Sequence, residues 1–300
     1  MSLRPERFTD IIGQDKAIEG LGISIKSANV RNAALGHVLI DAQPGLGKST
    51  ISAAIANELG VDNKVVLGGN IHSFKDILPT IMDMKFREVL FIDEIHRVNK
   101  RIAESFYTIL EDFRVDIPVP VSKGNTKLAS IELPEFTVVG ATTEAGSLPK
   151  PFRDRFKHKY TLKLYNNIDL EKIITFNAQK LNITMSSEAM GFVTKISRGT
   201  PRIANANLEW LRDYQLARKI PELSVEDVVS AMSVRGIDSD GLTENDRSYL
   251  LALRKNNGPV GIKTLSSITG IDQETIESII EPFLLTKFLI SKTSKGRVAI

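Results

Sequence analysis

Short apolar runs, each followed by polar or glycine-rich residues, recur through the first half of the chain. HVLI at 37–40, KVVL at 64–67, VLFIDEIH at 89–96 and FTVVGATT at 136–143 have this form. Continuous apolar residues are typical of strands that are buried on both faces, as in parallel α/β sheets. The pattern therefore predicts an α/β domain in which ligands gather at the carboxyl ends of the strands.

A helix is predicted shortly after the first of these strands. In the sequence STISAAIANELG, residues Ile51, Ile55 and Leu59 recur every four positions and give one buried stripe, which Gly60 closes. The connecting segment DAQPGLGKST, 41–50, contains two glycines and a lysine. Strand, glycine loop and helix together form the context that a phosphate-binding loop requires.

The glycine loop carries residues suited to a nucleotide. Gly45 and Gly47 let the backbone come close to phosphate oxygens, and Lys48 would reach the β and γ phosphates. The Ser49 hydroxyl would ligate Mg²⁺ beside the amides of the helix start. An ordinary strand-to-helix turn is the alternative, because Ala42 replaces the first glycine of the usual G-x-x-x-x-G-K-[ST] pattern.

Two later strands end in residues with chemistry of their own. Asp93 and Glu94 follow the apolar run at 89–92, where the first is placed to hold Mg²⁺ and the second to polarise a water for attack on the γ phosphate. Thr143 ends the run at 136–143, and its hydroxyl can sense the γ phosphate. A strand that ends in an acidic turn is the alternative, but a phosphate loop in the same chain favours nucleotide hydrolysis.

Three arginines are candidates for contact with phosphate. Arg153 and Arg155 lie in PFRDRF, and a planar guanidinium bonds two phosphoryl oxygens while neutralising charge. A solvated charge run is the alternative. Arg202 is predicted in the first turn of a helix that Thr200 caps and Pro201 begins. Because a cation there opposes the helix dipole, a role in reaching a phosphate is plausible.

The segment 113–138 alternates apolar and polar residues on either side of KGN and predicts a protruding hairpin with its turn at Gly124 and Asn125. Its apolar residues form a candidate partner surface, and a hairpin that packs on its own domain is the alternative. The residues concerned are Val119, Val121, Leu128 and Ile131.

Beyond Tyr160 the pattern becomes helical, and a Gly/Asp-rich linker at 236–246 marks a second boundary. The last part predicts helices at 247–255, around 262–267 and at 273–285, followed by two short strands, which is the outline of a winged helix. Its wing carries positive charge that suits DNA phosphates, from Lys292, Lys295 and Arg297. Small winged helices also dock proteins, and that alternative stays open.

Composition limits the class of protein. The chain has 300 residues, of which 42% are hydrophobic and 25% charged, so it is large enough for two or three domains. A net charge of +3 excludes a polycation, and the lack of cysteine excludes disulfides and zinc–thiolate sites. No apolar run suits a membrane span or signal peptide, so we expect a cytoplasmic protein. The four histidines lack metal-ligand spacing, and no chemistry is assigned to them.

The motifs and their order resemble the RuvB family, AAA+ motors that drive branch migration of Holliday junctions. The resemblance covers nearly the whole chain and rests on RPERFTDIIGQ, HVLIDAQPGLGKST, VLFIDEIHR, IELPEFT, VVGATTEAGSL, PFRDRF, GTPRIAN, GPVGIKTLSSITG and IEPFLL. It implies an AAA+ P-loop ATPase domain with a parallel-sheet core at 1–162, a helical lid domain at 163–235 and a C-terminal winged helix at 236–300.

The resemblance also implies roles for single residues. Asp93 would be the Walker B aspartate, Glu94 the base, Thr143 sensor 1 and Arg202 sensor 2. Arg155 would be the arginine finger supplied in trans, with Arg153 as the fallback. ATP and Mg²⁺ would be held by the loop residues Gly45, Gly47, Lys48, Ser49 and Thr50, and the adenine and ribose would be surrounded by Leu3, Arg4, Ile12 and Tyr165.

A finger acting in trans implies a ring, hexameric in this family. The hairpin would dock onto RuvA, the junction-binding partner, and the winged helix would face duplex DNA. Departures from the family pattern are Ala42, Glu144 in place of arginine, and Lys157-His158 in place of glycine. They leave open an ATPase that lacks hydrolysis, beside the alternative of a clamp-loader-like or signalling ATPase that does not translocate DNA.

Overall fold

The computed structural model describes residues 3–122, 125–256 and 258–300. One compact unit ends at Tyr165, and the second is Asn166–Ile300. The first unit contains the strands β1 to β7, which are Val38–Asp41, Asn63–Leu67, Val89–Asp93, Arg114–Ser122, Asn125–Glu132, Thr137–Thr142 and His158–Thr161. Its helices, α1 to α6, are Asp15–Arg31, Lys48–Leu59, Phe74–Met82, Lys100–Ser105, Tyr107–Asp112 and Lys150–Asp154, with short 3₁₀ turns at Phe8–Asp10, Gly68–Asn70, Ile95–Arg97 and Ala145–Ser147.

Five strands form one parallel sheet in the order β2-β3-β6-β1-β7. The two faces of the sheet pack into two separate apolar clusters. Val38 and Ile40 belong to one cluster, whereas Leu39 belongs to the other, as the two-residue period of a strand requires. The predicted α/β sheet is confirmed, and β1, β3 and β6 are buried on both faces, whereas β2 is an edge strand in which Val65 and Leu67 are exposed.

The register aligns the strand ends that carry the candidate residues. Asp41 pairs with Thr142, and Leu67 pairs with Asp93, so the carboxyl ends of β1, β2, β3 and β6 meet at one edge. The helix Lys48–Leu59 starts at this edge and buries the predicted stripe, and its end at Gly60 has φ of 70°. Sequence reading missed β7, because this edge strand alternates half-buried and exposed residues and has no apolar run.

The segment 113–138 forms the predicted antiparallel hairpin from β4 and β5. Near its base, Ile117 and Ile131 pack against the core of the first unit, so part of the hairpin rests on its own domain. Farther along, Val119 and Leu128 are exposed and remain available to a partner. The predicted turn residue Gly124 lies outside the described residues, as do the side chains of Val121 and Asn125.

The second unit is helical and ends in a small antiparallel ribbon. Its α-helices, α7 to α14, are Asn167–Lys180, Ser187–Ile196, Pro201–Arg218, Val225–Val234, Glu244–Arg254, Ile262–Thr269, Gln273–Thr275 and Glu281–Thr286. A π-helical turn, Ile276–Ile280, joins the last two, and the strands β8 and β9 are Ile290–Thr293 and Gly296–Ala299. The predicted helical lid and winged helix are therefore present.

Residues of the lid and the winged helix meet in a joint that is closed by a buried ion pair. Arg198 lies just before α9, and its Nη2 is 2.5 Å from Oδ2 of Asp246 in α11. The same nitrogen donates to the Gly241 carbonyl, and the guanidinium lies over the Phe283 ring, 4.1 Å from the ring centroid. Asp246 also accepts from the Thr243 amide, so one carboxylate serves the joint and the start of α11.

Candidate nucleotide-binding site and nucleic-acid interface

The glycine loop takes the backbone shape that its sequence predicts. Gly45 has φ of 82° and Gly47 has φ of 100°, a region that side chains with a Cβ rarely adopt. A Cβ on Gly47 would meet no atom within 4 Å, so the requirement there is conformational and not one of space. Gly47 precedes α2, whose first amides lack partners within the helix and suit an anion.

Lys48 is 7% exposed, and its Nζ donates to the Ala42 carbonyl at 2.8 Å. Ala42 itself is buried in the apolar core, and its amide donates to the Thr142 carbonyl at 3.0 Å. The methyl group of Ala42, which replaces the usual glycine, is therefore accommodated in the core. The Ala42 carbonyl still faces Lys48. The bond holds the ammonium at the loop in the absence of phosphate.

The two carboxylates lie at the end of β3. Glu94 has φ of 51°, and its amide donates to Oδ1 of Asp93 at 3.1 Å. Glu94 Oε1 is 4.0 Å from Lys48 Nζ, which brings the candidate base to the phosphate loop. The end of β2 passes close to the Glu94 backbone at Gly68, a residue that the sequence analysis missed. A Cβ on Gly68 would come within 2.4 Å of the Glu94 carbonyl oxygen.

Oε2 of Glu94 faces two further donors. Thr143 Oγ1 donates to it at 3.4 Å, and His96 Nε2 lies 3.4 Å away. The other ring nitrogen of His96, Nδ1, is 3.0 Å from Thr142 Oγ1. The structure thus brings together Lys48, Glu94 and Thr143 as predicted. It also brings His96 to this site, a residue to which the sequence analysis assigned no chemistry, because metal-ligand spacing was the signal that was sought.

The residues proposed for Mg²⁺ are of the right chemical type. Ser49 is in the first turn of α2 and Asp93 ends β3, and hydroxyl and carboxylate oxygens are ligands that Mg²⁺ prefers. Among the described residues, no group of three or more His, Cys, Asp or Glu side chains forms a metal site. This donor set fits an ion shared between one carboxylate and the phosphates of a nucleotide.

Residues predicted to surround the adenine and ribose lie in two segments that are joined by hydrogen bonds of a glutamine side chain. Gln14 donates through Nε2 to the Lys163 carbonyl at 2.7 Å and accepts from the Lys163 amide at 3.2 Å. The bonded segments contain Ile12 and Tyr165, which are half-buried, and Tyr165 packs against the core. The sequence analysis contained Gln14 only as part of the motif RPERFTDIIGQ and gave it no role of its own. Toward the N-terminus, Leu3 is half-buried and Arg4 is exposed.

Arg155 follows α6 and is held by residues of its own unit. Nη2 donates to Glu111 Oε2 at 3.0 Å, Nη1 donates to the Pro151 carbonyl at 2.7 Å, and the guanidinium lies 4.0 Å from the Tyr107 ring centroid. The side chain is 19% exposed. Arg153 belongs to α6 and is half-buried.

Arg202 lies in the first turn of Pro201–Arg218, as predicted, and is exposed. Thr200 is the N-cap residue, as predicted, and Pro201 is the first helical residue. The Thr200 side chain makes no capping hydrogen bond, and its hydroxyl donates to the Arg198 carbonyl at 3.2 Å.

The three basic residues of the wing differ in their surroundings. Arg297 Nε is 2.7 Å from Oε1 of Glu281, and Lys292 Nζ is 2.6 Å from Oε2 of the same fully buried carboxylate. Burial by itself would raise the pKa of Glu281, but its bonds to Arg297, Lys292 and Tyr249 outweigh this effect and lower the pKa. Lys295 is exposed at the turn. The charge of Arg297 is therefore neutralised within the domain.

Family models match the chain from end to end. Residues 3–162 match the Holliday junction DNA helicase RuvB P-loop domain, 165–238 match the RuvB AAA lid domain, and 239–299 match the RuvB C-terminal winged helix domain. No helix in the described ranges is long and apolar enough to cross a membrane.

Similar proteins cover nearly the same length. The Holliday junction branch migration complex subunit RuvB of Synechococcus sp. is 41% identical, over 99% of this chain and 86% of the relative. The subunit of the same name from Lactobacillus delbrueckii subsp. bulgaricus is 42% identical, over 99% and 89%. The solved structure of the Thermotoga maritima RuvB Holliday junction branch migration motor is 33% identical, with a TM-score of 0.89 over 99% of this chain and 95% of that one.

The glycine loop, the carboxylates at the strand ends and the two helical domains that follow define an AAA+ P-loop ATPase with a lid and a winged helix. Both the family models and the full-length relatives point to one group within this class. The chain belongs to the RuvB family.

Proposed function

We propose that this protein is an ATP-driven DNA motor that moves Holliday junctions in homologous recombination and DNA repair. The names of its relatives and of the solved motor support this activity. The observation that carries the proposal is the approach of the Glu94 carboxylate to Lys48 Nζ, 4.0 Å apart, at the mouth of the glycine loop. A base and a phosphate-binding cation at one place are what hydrolysis of a phosphoanhydride requires.

In this proposal the loop binds the phosphates of ATP through its backbone amides and Lys48. Gly45, Gly47 and Thr50 complete the loop, and Ser49 and Asp93 hold Mg²⁺, which neutralises phosphate charge when it is bound. Glu94 accepts a proton from the attacking water, and Thr143 bonds the γ phosphate or that water. The adenosine lies against residues at both ends of the first domain, Leu3, Arg4, Ile12 and Tyr165.

Two arginines complete the proposed cycle. Arg155 acts in trans on the nucleotide of a neighbouring subunit, with Arg153 as the alternative, and Arg202 reports the nucleotide state to the lid. A finger in trans makes a ring part of the mechanism, and we propose a hexamer in the cytoplasm. Winged helices of the ring contact duplex DNA through the exposed lysines of each wing, Lys295 and Lys292, of which Lys292 is paired with Glu281.

The hairpin is the proposed docking site for a RuvA-like junction-binding protein. Its exposed side chains, Val119 and Leu128, are 43% and 66% accessible, and apolar side chains of this kind suit a protein contact.

ATP turnover tests the proposed function. The purified protein is assayed alone, with linear duplex and with four-way junction DNA, and the Lys48→Ala variant is the blank. We expect turnover that rises with DNA and vanishes in the blank, followed by strand displacement on a junction. Nucleotide binding without turnover under every DNA condition, with a RuvA-like partner present, would overturn the motor.

A mixing experiment tests the finger in trans. Arg155→Ala and Glu94→Gln proteins are each expected to lose most of their turnover. Mixed rings contain interfaces at which an intact Glu94 meets an intact Arg155 of the neighbour, so some activity should return. Mixed rings that form, as seen by mass spectrometry, and yet stay inactive would exclude this arrangement.

A further inference from the structure

His96 is a polar neighbour of Glu94 for which the proposed function has no role. It lies in the 3₁₀ turn Ile95–Arg97 directly after β3, and its side chain is 11% exposed. Its two ring nitrogens contact different residues, Nε2 at 3.4 Å from Glu94 Oε2 and Nδ1 at 3.0 Å from Thr142 Oγ1. The imidazole therefore bridges a fully buried threonine and the candidate base.

The threonine decides which nitrogen of His96 carries the hydrogen. Thr142 Oγ1 already accepts from the Glu144 amide at 2.9 Å, and its own hydroxyl hydrogen needs an acceptor. Among the described residues, the acceptor in reach is His96 Nδ1. The opposite tautomer would leave a buried hydroxyl hydrogen without a partner, at about 1–3 kcal/mol. Nδ1 is therefore the acceptor, and the ring hydrogen is on Nε2, which lies 3.4 Å from Glu94 Oε2.

The two oxygens of Glu94 consequently have different neighbours. Oε2 faces the Nε2–H of His96 and accepts from the Thr143 hydroxyl, whereas Oε1 faces the Lys48 ammonium at 4.0 Å. The Thr143 hydroxyl and His96 Nε2 both lie on the Oε2 side, and they favour the rotation of the carboxylate that keeps Oε2 beside them. The oxygen on the lysine side, where the phosphates would bind, is left to receive a proton.

We propose that His96 is a positioning residue that turns Glu94 so that Oε1 is the basic atom. This inference rests on the proposed function. In the reaction, the water oxygen bonds to the γ phosphorus as the bond to the β-γ bridging oxygen breaks, and that bond's electron pair leaves with ADP. The water proton passes to Oε1. His96 keeps its own proton throughout and acts only through the carboxylate.

Side-chain replacements that keep one nitrogen position or the other test the role. Glutamine places its amide near the position of Nε2, whereas asparagine places it near Nδ1. We expect His96→Asn to lower kcat about tenfold with the KM for ATP within twofold, because binding is unaffected and only the base is misaligned. His96→Gln should recover most of the loss. Equal activity of His96→Asn and the unmodified protein would overturn the inference.

A second background separates positioning from a general structural effect. In Glu94→Gln protein the base is absent, so adding His96→Asn should leave the residual turnover unchanged. A further tenfold loss there would show that His96 acts independently of Glu94 and would overturn the inference.

The tautomer can be measured whether or not the protein turns over ATP. Long-range ¹H–¹⁵N NMR of the full chain, with His96→Gln protein used for assignment, distinguishes protonated from unprotonated ring nitrogens. We expect Nδ1 unprotonated and Nε2 protonated, and a loss of this preference in Thr142→Val. A hydrogen on Nδ1 would overturn the inference. If the unmodified protein lacks turnover, the proposed function fails, and the NMR result still decides the hydrogen-bonded arrangement.

Discussion

The mouth of the glycine loop and the joint between lid and winged helix use the same kinds of side chain in opposite ways. At the loop, Glu94 lies 4.0 Å from Lys48 Nζ and 3.4 Å from His96, and its side chain is 31% exposed. In the joint, Arg198 and Asp246 are 2.5 Å apart and are 10% and 0% exposed. The charged groups at the loop are partly exposed and lie at least 3.4 Å apart. The pair in the joint is buried and in direct contact.

The difference separates charge that is available for chemistry from charge that holds structure. A carboxylate with one oxygen still facing a cleft can take up a proton or a phosphate-bound water. A pair buried away from solvent has no such capacity, and losing one partner leaves an uncompensated charge inside the protein. Residue type alone does not distinguish the two cases, whereas distance and burial do.

The largest effect should come from Glu94→Gln. The amide keeps the size of the side chain and removes the base, so kcat should fall about 10²- to 10⁴-fold, or roughly 3–5 kcal/mol in the barrier. The free energy of unfolding should change by no more than about 0.5 kcal/mol, because the carboxylate is open to solvent. ATP turnover and hydrogen exchange of the first unit measure the two quantities. Unchanged turnover would remove Glu94 from the mechanism.

Arg198→Met should produce the opposite result. Asp246 is left buried without its cation, and the free energy of unfolding of the second unit should fall by about 3–5 kcal/mol. Trp210, the only tryptophan of the chain, donates to the Ala231 carbonyl within this unit and reports its urea unfolding by fluorescence.

A matched variant, Lys195→Met, removes a lid cation whose pair with Asp240 is exposed. We expect it to change the same unfolding free energy by less than about 1 kcal/mol. Equal effects of the two replacements would show that the buried pair in the joint contributes no more to the free energy of unfolding than an exposed surface pair.

The buried side chain of His37 in the first unit should give a smaller, pH-dependent change in the free energy of unfolding. His37 is buried, its Nδ1 accepts from the Val138 amide and its Nε2 contacts the Leu110 carbonyl. Burial lowers the pKa of His37 from 6.5 to about 4. The neutral ring is therefore favoured in the fold, and its contribution is complete above pH 6.5 and is lost as the pH falls toward 4. The loss is about 3 kcal/mol.

Exchange of the Val138 amide, corrected for its intrinsic pH dependence, measures this loss. His37→Asn should flatten the dependence between pH 6.5 and 4, because asparagine does not titrate there. A dependence that is the same in both proteins would assign it to other groups.

The smallest effect concerns the wing. Lys295→Ala should lower the salt slope of duplex binding by about one and leave Trp210-detected stability unchanged, because Lys295 is an exposed cation. Arg297→Ala should instead destabilise the second unit, because it leaves Glu281 buried with one cation fewer. An unaltered salt slope in Lys295→Ala would move the DNA contact to another surface.

Local patterns predict the parts of this molecule that depend on a few neighbouring residues. The glycine loop, the stripe of Ile51 and Ile55, and the helix that begins at Pro201 are of this kind. Edge strand β7 was not predictable, because half-buried edge strands need no apolar run. The roles of His96 and Gln14 depend on residues at positions 142 and 163, which are distant in the sequence. Nothing in the local pattern indicates such pairs.

The wing shows the same limit from the other direction. Lys292, Lys295 and Arg297 are indistinguishable as charges in the sequence, and all three were predicted to contact DNA. Glu281, in the preceding helix, is buried beneath two of them. The carboxylate that determines their role could be recognised only once the helix and the wing were packed together.

The Arg155 side chain is held in place by contacts within its own unit. Stacked on Tyr107 and bonded to Glu111 and the Pro151 carbonyl, it has already lost most of its rotamer freedom on folding. A phosphate that replaced the Glu111 carboxylate would therefore gain a charge-assisted bond with little further entropy to lose, as preorganised binding groups allow. Exchange of one anion for another would then require no ordering of a free side chain.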